Sequence, residues 1–255
     1  MKPVGIVSAL AAEARTLGTA DRQGTEVRWL ADGALLAVSG IGQAAAAAAA
    51  RRLVLAGVGA LASYGMAGGL DPTVICGALL LPEEIAIMGA EQAAARWPTD
   101  RQWRERLRAA LPSSCIVFGG SLLTSERPLG DPSAKVAAWR RTSALGVDME
   151  SAAIAQVAAQ VGLPFIALRV IVDTAADELP ATVIAASGGG RLRIGRLIGG
   201  VARAPGEVAA VIRLAARYRI ASRLLATLFA PGSAARRALV AGVEGADPAA
   251  PAVGS

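Results

Sequence analysis

Two runs decide the fold of this chain: Gly146-Val147-Asp148-Met149-Glu150-Ser151-Ala152-Ala153-Ile154-Ala155 and Phe165-Ile166-Ala167-Leu168-Arg169-Val170-Ile171-Val172-Asp173. The first reads as a strand over Ala144–Asp148 feeding a helix over Ser151–Val161. The second is a continuous apolar strand over Phe165–Val172. Strand, helix and strand in so short a span indicate a sheet covered by helices on both faces. Glu150 and Asp173 each stand where an apolar element turns into loop. In that setting one acid stays ionised and hydrogen-bonds a ligand. Burial raises the other toward neutrality and makes it a usable proton donor.

Toward the N-terminus the same alternation continues. Helices are expected around Pro132–Arg141 and over Asp100–Ala110, with short strands at Cys115–Gly119 and Ser121–Thr124. Ala78–Ile87 reads as one long strand. Ala60–Tyr64 is a core strand ended by Gly65-Met66-Ala67-Gly68-Gly69, and Gly40-Ile41-Gly42 opens an alanine-rich helix reaching Ala56. Its seven consecutive alanines, 44–50, signal close helix packing, because alanine is the best helix former. Val27–Leu30 and Leu35–Val38 flank a hairpin turn, and Val4–Ser8 is a first strand leading to a helix that holds Glu13. The expected fold is a single α/β domain with a mixed, mostly parallel central sheet flanked by helices. In such sheets ligands bind beyond the carboxyl ends of the strands, where Gly65–Gly69, Asp148–Glu150 and Asp173 all fall.

Toward the C-terminus the character changes. Ser187–Gly190 is a break, followed by Arg191, Arg193, Arg196, Arg203, Arg213, Arg217, Arg219 and Arg223 among aliphatic residues. Residues 1–230 are therefore read as one domain, with 188–230 a basic helical extension and 231–255 a disordered tail.

Composition narrows the chemistry. The chain has 255 residues, 54% of them apolar and 4% aromatic, and no histidine. Imidazole bases, Ser-His-Asp triads and histidine metal sites are excluded, which leaves carboxylates as acid and base. Cys76 and Cys115 fit no metal-ligand spacing, and no metal or cofactor is expected. The stretches 33–50 and 53–70 are membrane-like in length but break into strand and helix. A mean hydropathy of +0.48 therefore reports a buried sheet. A cytoplasmic protein is expected. The net charge of +6 would suit nucleic acid, but the few aromatics and lack of a nucleic-acid module argue against it.

Taken singly, each candidate has an ordinary structural reading. The glycine run makes a strand-to-helix turn, Asp173 caps a helix, Glu150 complements a helix dipole and Glu13 is a solvated first-turn acid. Together they match a family in residue, order and spacing. Val4-Gly5-Ile6 with Glu13, Ser39-Gly40-Ile41-Gly42, Ala67-Gly68-Gly69-Leu70-Asp71-Pro72, Val147-Asp148-Met149-Glu150-Ser151-Ala152 and Arg169-Val170-Ile171-Val172-Asp173 carry the match. Through them the chain resembles the purine nucleosidase and nucleoside phosphorylase superfamily, in its methylthioadenosine/adenosylhomocysteine nucleosidase-like branch.

The resemblance implies roles. Asp173 matches the acid that protonates adenine N7, and Glu150 matches the residue that accepts the ribose 2′-hydroxyl. Met149 packs on the sugar, while Glu13 positions the nucleophile. Met66, Ala67 and Gly68 bring backbone to that nucleophile, and Val172 precedes the acid. Two departures stand out. The family usually has Ser where Val172 stands, and Ser or Thr where Met66 stands. Each change removes a hydroxyl, one that orients the acid and one that touches the nucleophile.

Within the superfamily the chain is most similar to the hopanoid-associated phosphorylase group, which removes adenine from adenosylhopane. That implies a lipid nucleoside as substrate, with water or inorganic phosphate as nucleophile and a homodimer as the assembly. The rival readings are a methylthioadenosine/adenosylhomocysteine nucleosidase and a non-catalytic nucleoside- or lipid-binding protein on the same fold. A bilayer-soluble substrate also gives the helix expected over Gly206–Phe229 a purpose. Arg213, Arg217, Arg219 and Arg223 cluster opposite Val208, Val211, Leu214, Ala215, Tyr218, Leu225 and Phe229, as in helices that lie on the inner surface of an anionic membrane. An ordinary helix whose apolar face packs on the domain has the same pattern.

Overall fold

Strand β4 (Ala60–Gly69) organises the sheet in the computed structural model, which describes residues 2–18, 27–88, 93–186 and 204–242. Along one edge β4 pairs in parallel with β11 (Phe165–Asp173), from Phe165 opposite Leu61 to Asp173 opposite Gly68. Its other edge is shared by two strands. Parallel β1 (Val4–Ser8) covers it as far as Val7 opposite Ser63. Antiparallel β10 (Gly146–Asp148) covers Gly68 and Gly69 from the far end. Between them, Tyr64–Ala67 has no strand partner on that edge among the described residues. This gap becomes the floor of a cleft.

The remaining strands extend both sides. Beyond β1 come β3 (Leu35–Val38) and β2 (Arg28–Trp29). Beyond β10 come β9 (Ser121–Thr124), β6 (Glu84–Met88) and β7 (Ala93–Pro98). Short β5 (Leu79–Leu80) joins β11 to β8 (Val117–Phe118). The sheet is mixed and helices cover both faces, as expected.

Helices α2 (Gln43–Leu55) and α5 (Ser151–Gln160) pack together on one face. The buried side of α2 is Ala46, Ala49, Ala50 and Leu53, and such small residues let the two backbones approach closely. On the other face lie α1 (Ala11–Arg15), α3 (Arg101–Ala109) and the C-terminal helices around Tyr64, Trp103 and Leu168. Asp100 caps α3 by accepting from Trp103 N at 2.8 Å. Asp131 caps α4 (Pro132–Thr142) by accepting from Ala134 N at 3.1 Å.

Four details differ from expectation. The glycine run 65–69 does not end β4 but continues it, because residues without side chains allow close approach. A Cβ on Gly69 would lie 3.0 Å from the Asp173 carbonyl oxygen. The run 78–87 divides at Pro82, which lacks the N–H a ladder needs, and β7 arises as the unexpected hairpin partner of β6. Because β10 is antiparallel to β4, the cleft sits in the gap between strand ends rather than beyond one set of carboxyl termini. Finally, the tail expected from residue 231 contains α8 (Ala234–Val240). Its Ala235, Arg236, Ala238 and Leu239 are buried, and Trp103 Nε1 donates to Ala238 O at 3.1 Å. That apolar burial outweighs the small-residue composition that suggested disorder. The break at 187–190, Arg191, Arg193, Arg196 and Arg203, and positions 243–255 lie outside the described residues.

After the short α6 (Ala181–Ala186), the basic helix is α7 (Val208–Leu228), and it packs on β11 and α1. Leu225, Leu228 and the following Phe229 are buried, each worth roughly 1.5–3 kcal/mol to the fold. The C-terminal part of the apolar face therefore belongs to the domain, while Val208 and Ala215 stay exposed. Arg217, counted with the free cations on sequence, turns inward to Asp177. Arg213, Arg219 and Arg223 stay exposed beside Ile212 and Ile220. No helix among the described residues is long and apolar enough to cross a membrane.

Candidate active site

The cleft over the β4 gap opens broadly, and its space together with the solvent at its mouth amounts to about 790 Å³. All eight residues singled out on sequence line it: Glu13, Met66, Ala67, Gly68, Met149, Glu150, Val172 and Asp173. Most of the remaining wall is apolar, from Leu10, Ile41, Pro128, Leu129 and Leu179.

Glu13 enters from α1 and is only 4% exposed, so it is not the solvated acid of its simplest reading. Its Oε2 accepts from Ser8 Oγ and Leu10 N, each at 3.1 Å, and its Oε1 accepts from Met66 N at 3.1 Å. The unpaired stretch of β4 thus spends an amide on this carboxylate instead of on a neighbouring strand. Burial raises the Glu13 carboxyl above its usual value, against the pull of Arg169 and its own hydrogen bonds.

Glu150 stands at the N-terminus of α5. Its Oε1 accepts from Gly42 N at 2.7 Å and its Oε2 from Met149 N at 3.2 Å. Gly42 holds φ +99°, a conformation that favours glycine, so the Gly40–Gly42 loop can lay its amide on the acid. Burial, aided by neighbouring Asp148, pushes Glu150 up to about 7. Below it lies a buried network. Asp148 receives Arg169 Nε at 3.1 Å and Nη2 at 2.8 Å, with Thr124 Oγ1 at 2.7 Å. Arg169 Nη2 also reaches Ser63 and Ser151 Oγ, at 2.6 and 2.9 Å. Asp148 lines the cleft, but its oxygens are committed to this network, which fixes the start of α5 and hence Glu150.

Asp173 ends β11 just after a β-bulge at Val172, and the extra residue turns the carboxylate toward the cleft. A Cβ on Gly68 would lie 3.2 and 3.3 Å from its two oxygens, so the glycine leaves the acid its place. Asp173 does not cap a helix. Its partner is Lys135 of α4, which is fully buried and hydrogen-bonds Asp173 Oδ2. Lys135 Nζ also donates to the carbonyls of Thr174 at 2.9 Å and Asp177 at 2.8 Å. With Val172 offering no hydroxyl, the polar partner of Asp173 thus comes from another element. Burial raises Asp173, with Lys135 pulling the other way. Nearby Asp177 is held down to about 2: its partial burial is outweighed by the hydroxyl and amide of Thr174 and by Arg217.

Tyr218 reaches the cleft from α7, and its hydroxyl finds no hydrogen-bond partner among the described residues. The sequence reading counted Tyr218 only as part of an apolar face and did not single out Lys135. One signal was available for the lysine. The chain has 26 Lys and Arg together, yet Lys occurs only at positions 2 and 135.

Three carboxylates around one apolar cleft can hold a polar group at one end, a proton at another and a nucleophile between them. Residues 19–188, about two thirds of the chain, match the family described as Phosphorylase superfamily. No curated protein matches the chain in sequence. Among solved structures it is similar to 5′-methylthioadenosine/S-adenosylhomocysteine nucleosidase from Neisseria meningitidis, in complex with methylthio-immucillin-A. There the TM-score is 0.64 and the identity 22%, over 89% of this chain and 99% of that one. An Asp-to-Asn mutant of the Helicobacter pylori nucleosidase, with 5′-methylthioadenosine in its active site, gives 0.63 and 16% over 89% and 98%. Native futalosine hydrolase of H. pylori gives 0.59 and 18% over 77% and 97%. At these identities the solved structures speak for the fold, and the family match speaks for descent: the chain belongs to the phosphorylase superfamily.

Proposed function

We propose that the enzyme cleaves the N-glycosidic bond of a 5′-substituted adenosine carrying a large apolar group, adenosylhopane, and releases adenine. The observation that carries this reading is the convergence of Glu13, Glu150 and Asp173 on a cleft whose other walls are largely apolar. Adenine leaves poorly unless N7 is protonated, and Asp173 supplies that proton. The ribose then acquires oxocarbenium character, which Glu13 and Glu150 stabilise electrostatically while Glu150 accepts from the 2′-hydroxyl. Met149 packs on the sugar, and Leu10, Ile41, Leu129 and Leu179 line the way for the apolar 5′ substituent.

Water is the nucleophile in this proposal, and ribosylhopane is the second product. Glu13 is oriented by three donors and takes the proton of the attacking water. The same acidic wall would repel a phosphate dianion. The outer face of α7, with Ile212, Ile220, Arg213, Arg219 and Arg223, would rest on an anionic bilayer while its inner face closes the cleft.

The test is adenine release from a series of 5′-substituted adenosines, with and without phosphate. Long apolar 5′ groups should be preferred, phosphate should not change the rate, and Asp173→Asn should lower it roughly 100-fold or more. Preference for methylthioadenosine or adenosylhomocysteine would favour a small-thioether nucleosidase. Unchanged release in Asp173→Asn would remove the assigned acid.

A further inference from the structure

Lys135 is an anomaly in a chain that otherwise meets its need for cations almost entirely with arginine. It is fully buried on α4, and its three N–H groups have three acceptors: Asp173 Oδ2 and the carbonyls of Thr174 and Asp177. A compact ammonium satisfies that pyramid of acceptors. A planar guanidinium, with five donors in a rigid fork, does not. A stabilising role alone accounts poorly for the arrangement, because burying an ion pair gains little over well-packed apolar residues. What the arrangement does provide is a fixed positive charge behind one named carboxylate, on the side away from the cleft.

We infer that Lys135 is a positioning residue of the glycosidic reaction, aiming the Asp173 carboxyl at the departing base and stabilising the carboxylate left when its proton is given up. This rests on the glycosidase reading above. In the step concerned, the Asp173 proton moves to adenine N7 and the electron pair of the C1′–N9 bond leaves with adenine. The water oxygen bonds to C1′, and its proton passes to Glu13. Asp173 ends as a carboxylate facing the Lys135 ammonium. The other charged or titratable groups that bear on Asp173 are Asp177 after β11, Arg217 from α7 and the Cys76 thiol. Arg217 is engaged by Asp177, so Lys135 is the cation in direct contact with the acid.

A general acid works in its protonated form, so activity falls as pH rises through the titration of Asp173. Removing the Lys135 charge makes Asp173 a weaker acid. That should lower the rate at the plateau and move the basic limb to higher pH. The experiment compares kcat/KM against pH for the wild type and Lys135→Met on two substrates with the same sugar. One carries adenine, and the other carries 4-nitrophenolate, which departs without a proton. The expected result is a roughly 10- to 100-fold lower plateau for adenine release, a basic limb at higher pH, and nitrophenolate release within about twofold of wild type. Lys135→Gln, which keeps a donor toward Asp173, is measured alongside in case the methionine variant does not fold. It should show the same limb movement. An unmoved limb, or equal loss on both leaving groups, would overturn the inference and leave Lys135 as a structural ion. A wild type that releases adenine from no adenosine would instead overturn the glycosidase reading, and this inference with it.

Discussion

The side chain that Gly65 lacks would put its Cβ 2.8 Å from both carboxylate oxygens of Glu13. A carbon does not come that close to an oxygen it cannot hydrogen-bond, so Glu13 keeps its place only because position 65 is bare. Gly65→Ala should force the carboxylate off Met66 N while leaving the rest of β4 paired. Adenine release is expected to fall roughly 100-fold, the scale on which about 1 Å of misplacement acts on catalysis. A crystal structure of the variant would show Glu13 displaced. Full activity would mean that Glu13 does not hold the nucleophile.

Glu150, pushed up to about 7 from an unfolded value of 4.5, makes two pH effects run in opposite directions. Its folded form binds its proton more tightly than its unfolded form does. This group's contribution to stability is therefore complete below about 4.5 and is lost as pH rises through about 7. Accepting a ribose hydroxyl, however, calls for the carboxylate, so KM should improve over the same rise. Thermal melts and KM measured from pH 5.5 to 8.5 test both. Glu150→Gln should flatten the two profiles together.

Breaking the buried Asp148–Arg169 pair from one side strands a charge among Ser63, Ser151 and Thr124. Arg169→Met is expected to cost roughly 3–5 kcal/mol of stability, read by urea denaturation. Ligand binding should weaken as well, because the start of α5 that carries Glu150 loses its anchor.

Tyr218 gives a prediction with two signs. Its hydroxyl is buried and unpartnered among the described residues, a loss of about 1–3 kcal/mol if nothing relaxes to meet it. Tyr218→Phe should therefore raise the melting temperature of the free enzyme while raising KM. A fall in both would mean that the hydroxyl serves the fold and not a ligand.

The exposed face of α7 separates membrane contact from catalysis. Flotation with anionic liposomes at low salt should carry the protein, and changing Arg213, Arg219 and Arg223 to Glu should abolish this without altering turnover of a soluble substrate. Arg217 is left out because its ion pair with Asp177 fixes α7 beside the cleft.

What the residues told by themselves was local in origin. The period-two and period-3.6 patterns placed β1, β3, β10, β11, α2, α3 and α5 to within a few residues, since each depends on neighbours along the chain. Of the eight cleft residues, Glu13, Gly68, Glu150 and Asp173 were legible because acids and glycines at the ends of apolar elements stand out against their immediate surroundings. Met66, Ala67, Met149 and Val172 came from the family resemblance. Patterning failed where tertiary packing overrides it, as in β7 and α8, whose alanine-rich sequences carry little preference of their own. It failed too at Pro82 and through the glycines of β4, where the ladder and not the residue type decides where a strand ends.

Only the folded chain decided which side chains meet. Met66 reaches Glu13 across 53 residues, Lys135 reaches Asp173 across 38, and Gly42 reaches Glu150 across 108. Such contacts follow from sheet register, from the unpaired gap in β4 and from the extra residue at Val172. Each of these is set by the summed packing of the whole domain. Element type is a short-range property of a sequence, whereas the environment that charges or neutralises a carboxylate is assembled from distant parts of the chain.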